Sequence, residues 1–319
     1  MNRWDKWLSG AVFVALWMAM PPLAHGQVRP AAKSKPTAAL RTPWGDPDLQ
    51  GTWTNTTTTP FERPDPLAGK QKPVDEEAGP EEARPRAGDP GTYNAFWMDR
   101  GGATNQTSLI IDPPNGQLPP LLPAAAAELK AVARIRQSPP TSYEDVSIFE
   151  RCLSRGMPAA MLPGFYNHNY EILQTRDSVV LRVEMIHDVR VIPLDGRPHL
   201  PSTVSQWLGD SRGHWEGDTL VVETTNLKAV NELRPSHAVF GGSAKTTMVE
   251  RFRRVDADGM EYQFIITDPD TFTRPWTVST PMKRADFPVF EYACHEGNHA
   301  LPNMLRGARK QEADAEQKR

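Results

Sequence analysis

The stretch NYEILQTRDSVVLRVEMIHDVRVIPLDG, residues 169–196, decides the fold, and the pattern it sets continues to Glu296. EILQT meets a turn at Arg176-Asp177, SVVLRVEM runs into IHDVRVIPL, and Asp195-Gly196 turns the chain again. Beyond Gly217-Asp218 come DTLVVETTN, TTMVERFRRV, the Asp258-Gly259 turn, MEYQFIITD, RPWTVSTPM and FPVFEYACHEG. Short β-branched and aromatic runs separated by Asp-Gly and Gly-Asp pairs predict an antiparallel meander. About eight such strands close into a barrel or fold into a β-sandwich, because open edges invite aggregation.

Alternation assigns faces. From Val179 to Pro193 the odd positions are apolar except His187, and the even ones carry Arg182, Glu184, Asp188 and Arg190. Period two therefore places His187 on the packing face and turns Asp188 to the opposite side, so that the two cannot form a dyad. Met260, Tyr262, Phe264 and Ile266 likewise share one face with Asp268. A barrel of this size can hold a small-ligand cavity, which polar residues on an apolar inner face would line.

Residues 1–26 read as a secretory signal: Arg3 and Lys6 precede an apolar run from Leu8 to Met20, and Ala24-His25-Gly26 offers a cleavage site before Gln27. The apolar run is too short for a stable membrane anchor. Residues 27–42 form a Pro/Ala/Lys linker, and 43–165 a Pro-rich arm with two short helices, AAAAELKAVARIRQ and YEDVSIFERCLSR. The barrel occupies 166–300, and 301–319 is a short helix with a charged tail. A net charge of −3 gives no basic field for nucleic acid. Export allows the two cysteines, Cys152 and Cys294, to pair as a disulfide, the competing reading being two free thiols with one a nucleophile. Their bridge closes a loop of about 140 residues, worth on the order of 4–5 kcal/mol in the chain-entropy model.

Gly51-Thr52-Trp53 heads a β-like run. A Gly-x-Trp opening an exported barrel resembles lipocalins and other calycins, which implies a calycin-like barrel with Trp53 plugging one end. The blocks TPWGDPDLQGTW, GHWEGDTLVVETTN and EYACHEGN resemble a widespread group of uncharacterised exported bacterial proteins, over about residues 42–308. That resemblance implies secretion and a shared fold, and it carries over no catalytic residue.

Four constellations could carry chemistry. His295-Glu296-Gly297-Asn298-His299 is a literal H-E-x-x-H, which in zinc peptidases needs a helix to set both His on one face. Here FPVFEYAC reads as a strand, and Gly297 and Asn298 are poor helix formers, so zinc at His295, Glu296 and His299 is the alternative to a cofactor-free site. His187 offers a pocket base or a core histidine. WLGDSRGHWEGD, with Asp210 and His214, reads as a polar loop at the barrel rim or a tight hairpin. Its Gly209-Asp210-Ser211-Arg212-Gly213 matches G-x-S-x-G, but a strand follows where a nucleophile elbow needs a helix. YNHNYE sets Tyr166 and His168 ahead of the first strand, as proton donors and acceptors or as an aromatic plug. No Walker loop, dinucleotide fingerprint, CxxC pair or haem motif occurs. The expectation is an exported pocket protein for a small organic molecule. It acts as a lyase, isomerase or hydrolase through His187, His168, Tyr166, His214 and Asp210, or else as a non-catalytic carrier.

Overall fold

A computed structural model describes residues 40–64, 99, 101–164, 166–228 and 242–318. The segment expected to be a signal, nearly all of the expected linker and the Pro-rich stretch 65–98 lie outside the described residues. Ten antiparallel strands form one nearly closed, barrel-shaped sheet: β1 (Gly51–Thr54), β2 (Ile110–Asp112), β3 (Asn169–Gln174), β4 (Ser178–Val183), β5 (Val189–Pro193), β6 (Asp210–Glu216), β7 (Thr219–Thr225), β8 (Thr247–Arg254), β9 (Gly259–Thr267) and β10 (Trp276–Ala285). The spatial order is β5-β4-β3-β1-β10-β9-β8-β7-β6, with β2 paired to β10. The antiparallel barrel expected from the turn-punctuated strands is thus the observed architecture, and one continuous sheet replaces the two of a sandwich. Its strands are not confined to 166–300, since β1 joins β3 to β10.

The interior is a packed core. On β9, Met260, Tyr262, Phe264 and Ile266 are all buried, as their alternation predicts. Their rings stack along the barrel: Phe252 lies 4.6 Å from Tyr262, Tyr262 lies 5.9 Å from Phe264, and Phe264 lies 5.9 Å from Trp276. Trp53 is fully buried, donates its indole N–H to the Leu49 carbonyl at 2.9 Å, and carries Arg254 over its ring. Side chains of this bulk fill the inner face and move any ligand site towards the edge of the sheet.

That edge is the seam where β5 meets β6. Among the described residues no backbone ladder joins these strands. Arg190 of β5 crosses the gap instead, donating to Ser211 Oγ of β6 at 3.1 Å, to Thr224 Oγ1 of β7 at 3.1 Å and to Glu250 Oε1 of β8 at 2.9 Å. Gly213 makes the approach possible, because a Cβ there would sit 2.7 Å from Leu194 Cδ2 and 2.9 Å from Ile192 Cγ2.

Two α-helices flank the barrel among the described residues. α1 (Pro123–Gln137) is the helix expected after Pro123. α2 (Ala300–Glu316) runs through most of the segment expected to be a charged tail. Arg309 pairs with Glu312 and Lys310 with Asp314, the spacings that support a solvated helix. The expected helix YEDVSIFERCLSR is only a 3-10 turn at Tyr143–Asp145. There Asp145 accepts from the Thr141 and Ser142 N–H groups, and Ser147 and Glu150 bond each other's backbone, so side chains take donors that a helix would use. FPVFEYAC is not a strand either: the ladder ends at Ala285, and Pro288 has no N–H to extend it.

Candidate functional site

The seam opens into a cleft of 590 Å³ lined by Leu153, Ile186–Val191 and Gln206–Ser211. That volume falls within the roughly 300–1,000 Å³ of small-molecule sites. Its floor is charged but internally matched: the Arg190 and Glu250 side chains are 2% and 0% exposed, and the Tyr262 hydroxyl donates to Glu250 at 2.9 Å. Burial works against the charge of Arg190, and attraction to Glu250 overcomes it and raises the guanidinium pKa.

One wall is a turn that the alternation conceals. β4 buries Val179, Leu181 and Val183, whereas β5 buries Arg190 and Ile192 and exposes Val189 and Val191. The inward parity flips because the backbone enters the left-handed region at Ile186 (φ +61°) and His187 (φ +48°). The turn is closed by the Val183 N–H on the Asp188 carbonyl at 2.8 Å and the His187 N–H on the Glu184 carbonyl at 3.1 Å. A β-branched residue with positive φ is rare, and such strain collects at functional sites. Two expectations are corrected here. His187 is exposed rather than packed in the core, and it shares the cleft with Asp188 instead of pointing away from it.

Each of the two groups is held by chain distant in sequence. His187 Nδ1 lies 3.0 Å from the Tyr292 carbonyl. A carbonyl only accepts, so the proton of the neutral ring sits on Nδ1 and the lone pair is left on Nε2. Asp188 Oδ2 accepts from Ser154 Oγ at 3.0 Å and from the Arg155 N–H at 3.3 Å. Burial dominates over these bonds and over the neighbouring His187 and Arg155 charges, and it pushes the Asp188 carboxyl up.

The other candidates are dispersed. Asp210 lines the cleft but is already engaged: it accepts from His199 Nδ1 at 2.8 Å, the Leu200 N–H at 3.0 Å and Arg212 at 2.7 Å. Burial opposes its charge, yet the Leu200 N–H, His199 and Arg212 outweigh it and hold the carboxyl below its usual range. Of the two readings of WLGDSRGHWEGD the hairpin is observed and the rim loop is not: β6 pairs with β7 across Gly217-Asp218, and Ser211 is a hydrogen-bond partner of Arg190 and Thr224 rather than an elbow nucleophile. His214 stands half exposed, 3.4 Å from Glu216. His168 is buried beneath Arg155, whose guanidinium lies 2.9 Å from His168 Nε2. Arginine only donates, so that nitrogen's lone pair is taken. Tyr166 packs half-buried against the core. His295 and Glu296 sit in a turn, and His299 stands at the N-cap position of α2 without a side-chain cap, so the helical pairing of zinc hydrolases is not formed. Among the described residues, no three His, Cys, Asp or Glu side chains converge on a metal position.

Ser154, Arg155 and the Tyr292 carbonyl escaped the sequence reading, which placed Asp188 and Arg190 on the face away from His187 and not in the site. The unexpected signal was His-Asp inside an otherwise apolar alternation, which marks a turn as readily as a strand. Compared with known proteins, the chain matches no family model, no curated protein and no solved structure. Among the described residues, no helix is long and apolar enough to cross a membrane.

Proposed function

We propose that this is an exported protein that binds a small organic molecule in the β5–β6 cleft and moves a proton on it, as a lyase, isomerase or hydrolase without a redox cofactor. The observation that carries this reading is the pairing of His187 and Asp188 in one strained turn at the cleft. His187 is held through Nδ1 with its Nε2 directed away from that bond, and burial raises the Asp188 carboxyl pKa. A histidine and a carboxyl held side by side at one cleft are groups that general acid–base catalysis uses. Leu153, Val189 and Val191 are exposed around the opening, and Trp207 lines it, which favours a ligand with an apolar body. The signal-like N-terminus and the Cys152–Cys294 disulfide support export. Membership of the exported bacterial group, suggested by the three sequence blocks, belongs to the same proposal.

The test compares mature wild type, His187→Gln and Asp188→Asn by native mass spectrometry after purification from the periplasm. The expected result is a small molecule retained unconverted by the variants, with its product or an empty cleft in the wild type. The same unaltered molecule in all three proteins, with equal lifetime, would reduce the site to a carrier.

A further inference from the structure

A cluster of oxygen-bearing side chains gathers at the open end of the β3–β4 hairpin, and none of them lines the cleft. Beyond the paired Tyr170 and Val183, the Glu184 N–H still donates to the Asn169 carbonyl at 2.9 Å. Both residues are buried, Glu184 at 2% exposure and Asn169 at 4%. Their side chains meet as well. Asn169 Nδ2 donates to Glu184 Oε2, and Asn167 Nδ2 donates to Glu184 Oε1 at 3.0 Å. Asp99 joins them from the chain ahead of β2. Burial first, and then the Glu184 charge, raise its carboxyl pKa, and the His168 and Asn167 N–H groups offset this only in part.

Neighbouring carboxyls repel unless a proton or a cation stands between them. Two oxygens point to the cation. Among the described residues, Asn169 Oδ1 and Asp99 Oδ2 are buried and have no hydrogen-bond partner. A shielded oxygen in that state forfeits free energy that a ligand would restore. Asn169 Oδ1 sits on the same carboxamide head whose nitrogen bonds Glu184, so it is aimed into the cluster. A carboxamide also exchanges donor for acceptor by a half turn, which would set both asparagine oxygens where their nitrogens now meet Glu184. Oxygens that each stand roughly 2.3–2.6 Å from one calcium ion are about 3 Å apart, the spacing found between Asn167 and Glu184. From this geometry we infer that Glu184, Asp99, Asn167 and Asn169 form a calcium site at the head of the β4–β5 turn. The donors are all hard oxygens, carboxylate and amide together, which suits calcium rather than zinc, and water would complete the shell. The Glu184 carbonyl accepts from the His187 N–H at 3.1 Å, so the ion would brace the start of that turn from outside the cleft. This site is independent of the acid–base role proposed for His187 and Asp188.

The test titrates CaCl2 into the full mature chain after chelator treatment, by calorimetry and by thermal melts at constant ionic strength. One calcium per chain is expected. With the sub-millimolar to millimolar affinity of extracellular calcium modules, Tm should rise by roughly 3–6 °C in about 10 mM CaCl2. The same concentration of MgCl2 should give much less, because magnesium demands a tighter octahedral shell. Asp99→Asn and Glu184→Gln should each weaken calcium binding by roughly tenfold or more, since affinity follows the charge of the ligand set. Circular dichroism reports whether each variant is folded. If Glu184→Gln does not fold, Asp99→Asn decides, because Asp99 is only half-buried. No calcium-dependent rise in Tm would overturn the inference, and a proton on Asp99 would then account for the paired carboxyls. An equal rise in MgCl2, or undiminished calcium affinity in folded Asp99→Asn, would overturn it too. Calcium binding is read without any substrate, so failure of the cleft as an enzyme leaves this result unaffected.

Discussion

Glu250→Gln should cost this protein a large share of its stability. The substitution keeps the size of the side chain and removes the one charge that offsets Arg190 inside the barrel. Arg190 would retain Ser211 and Thr224, but both are neutral, and its side chain is 2% exposed. Breaking a buried ion pair from one side costs about 3–5 kcal/mol, because an uncompensated charge stays behind. Domains of this kind have roughly 5–15 kcal/mol in total. At about 2 °C per kcal/mol for a chain of this length, Tm should fall by roughly 6–10 °C. An apolar replacement of the whole cluster, Arg190→Met/Glu250→Leu/Tyr262→Phe, should recover most of the loss. It leaves no buried charge or orphaned hydroxyl, and Ser211 and Thr224 still bond each other at 2.9 Å. Urea unfolding followed by tryptophan fluorescence measures all three proteins. A loss below about 1 kcal/mol for Glu250→Gln would refute the reasoning, since cleft water would then be solvating Arg190. A triple variant no more stable than the single one would count equally against it.

Two further outcomes follow from the fold. Asp268 is 2% exposed and accepts from Ser243, Thr246, Gly242, Asp270 and Thr271; burial opposes its charge, but these donors hold its carboxyl down at about 2. Its folded pKa lies below the unfolded value, so the stabilisation of about 2–3 kcal/mol is complete above about pH 4 and fades as pH falls towards 2. Urea midpoints of wild type and Asp268→Asn should therefore differ at pH 6 and converge near pH 2, and a gap independent of pH would contradict the assignment. Gly213→Ala should destabilise by about 1–3 kcal/mol in a thermal melt, because its Cβ meets Leu194 and Ile192 across the seam. Adding Leu194→Ala should restore part of that loss, and failure to do so would mean the seam is looser than its contacts imply.

The amino-acid sequence by itself determined the barrel. Period-two alternation in β9, with Met260, Tyr262, Phe264 and Ile266 inward, and Asp-Gly turns between strands are local signals, and local backbone geometry obeys them. The disulfide was legible for a different reason: a chain with two cysteines has one intramolecular pairing open to it. The site was decided by tertiary structure. The His-Asp pair in MIHDVR interrupts the apolar alternation, but that break by itself does not specify a left-handed turn. The turn is set by contacts with Tyr292, 105 residues away, and Ser154, 34 residues away. DSRGHWE is too polar to resemble a core strand, and it becomes β6 because Gly213 and Ser211 meet Ile192 and Arg190 at the seam. Patterning reports which face a residue prefers when its neighbours in sequence are regular. Where chain ends of the sheet come together, the partner across the gap sets the geometry, and that partner is known only once the barrel has closed.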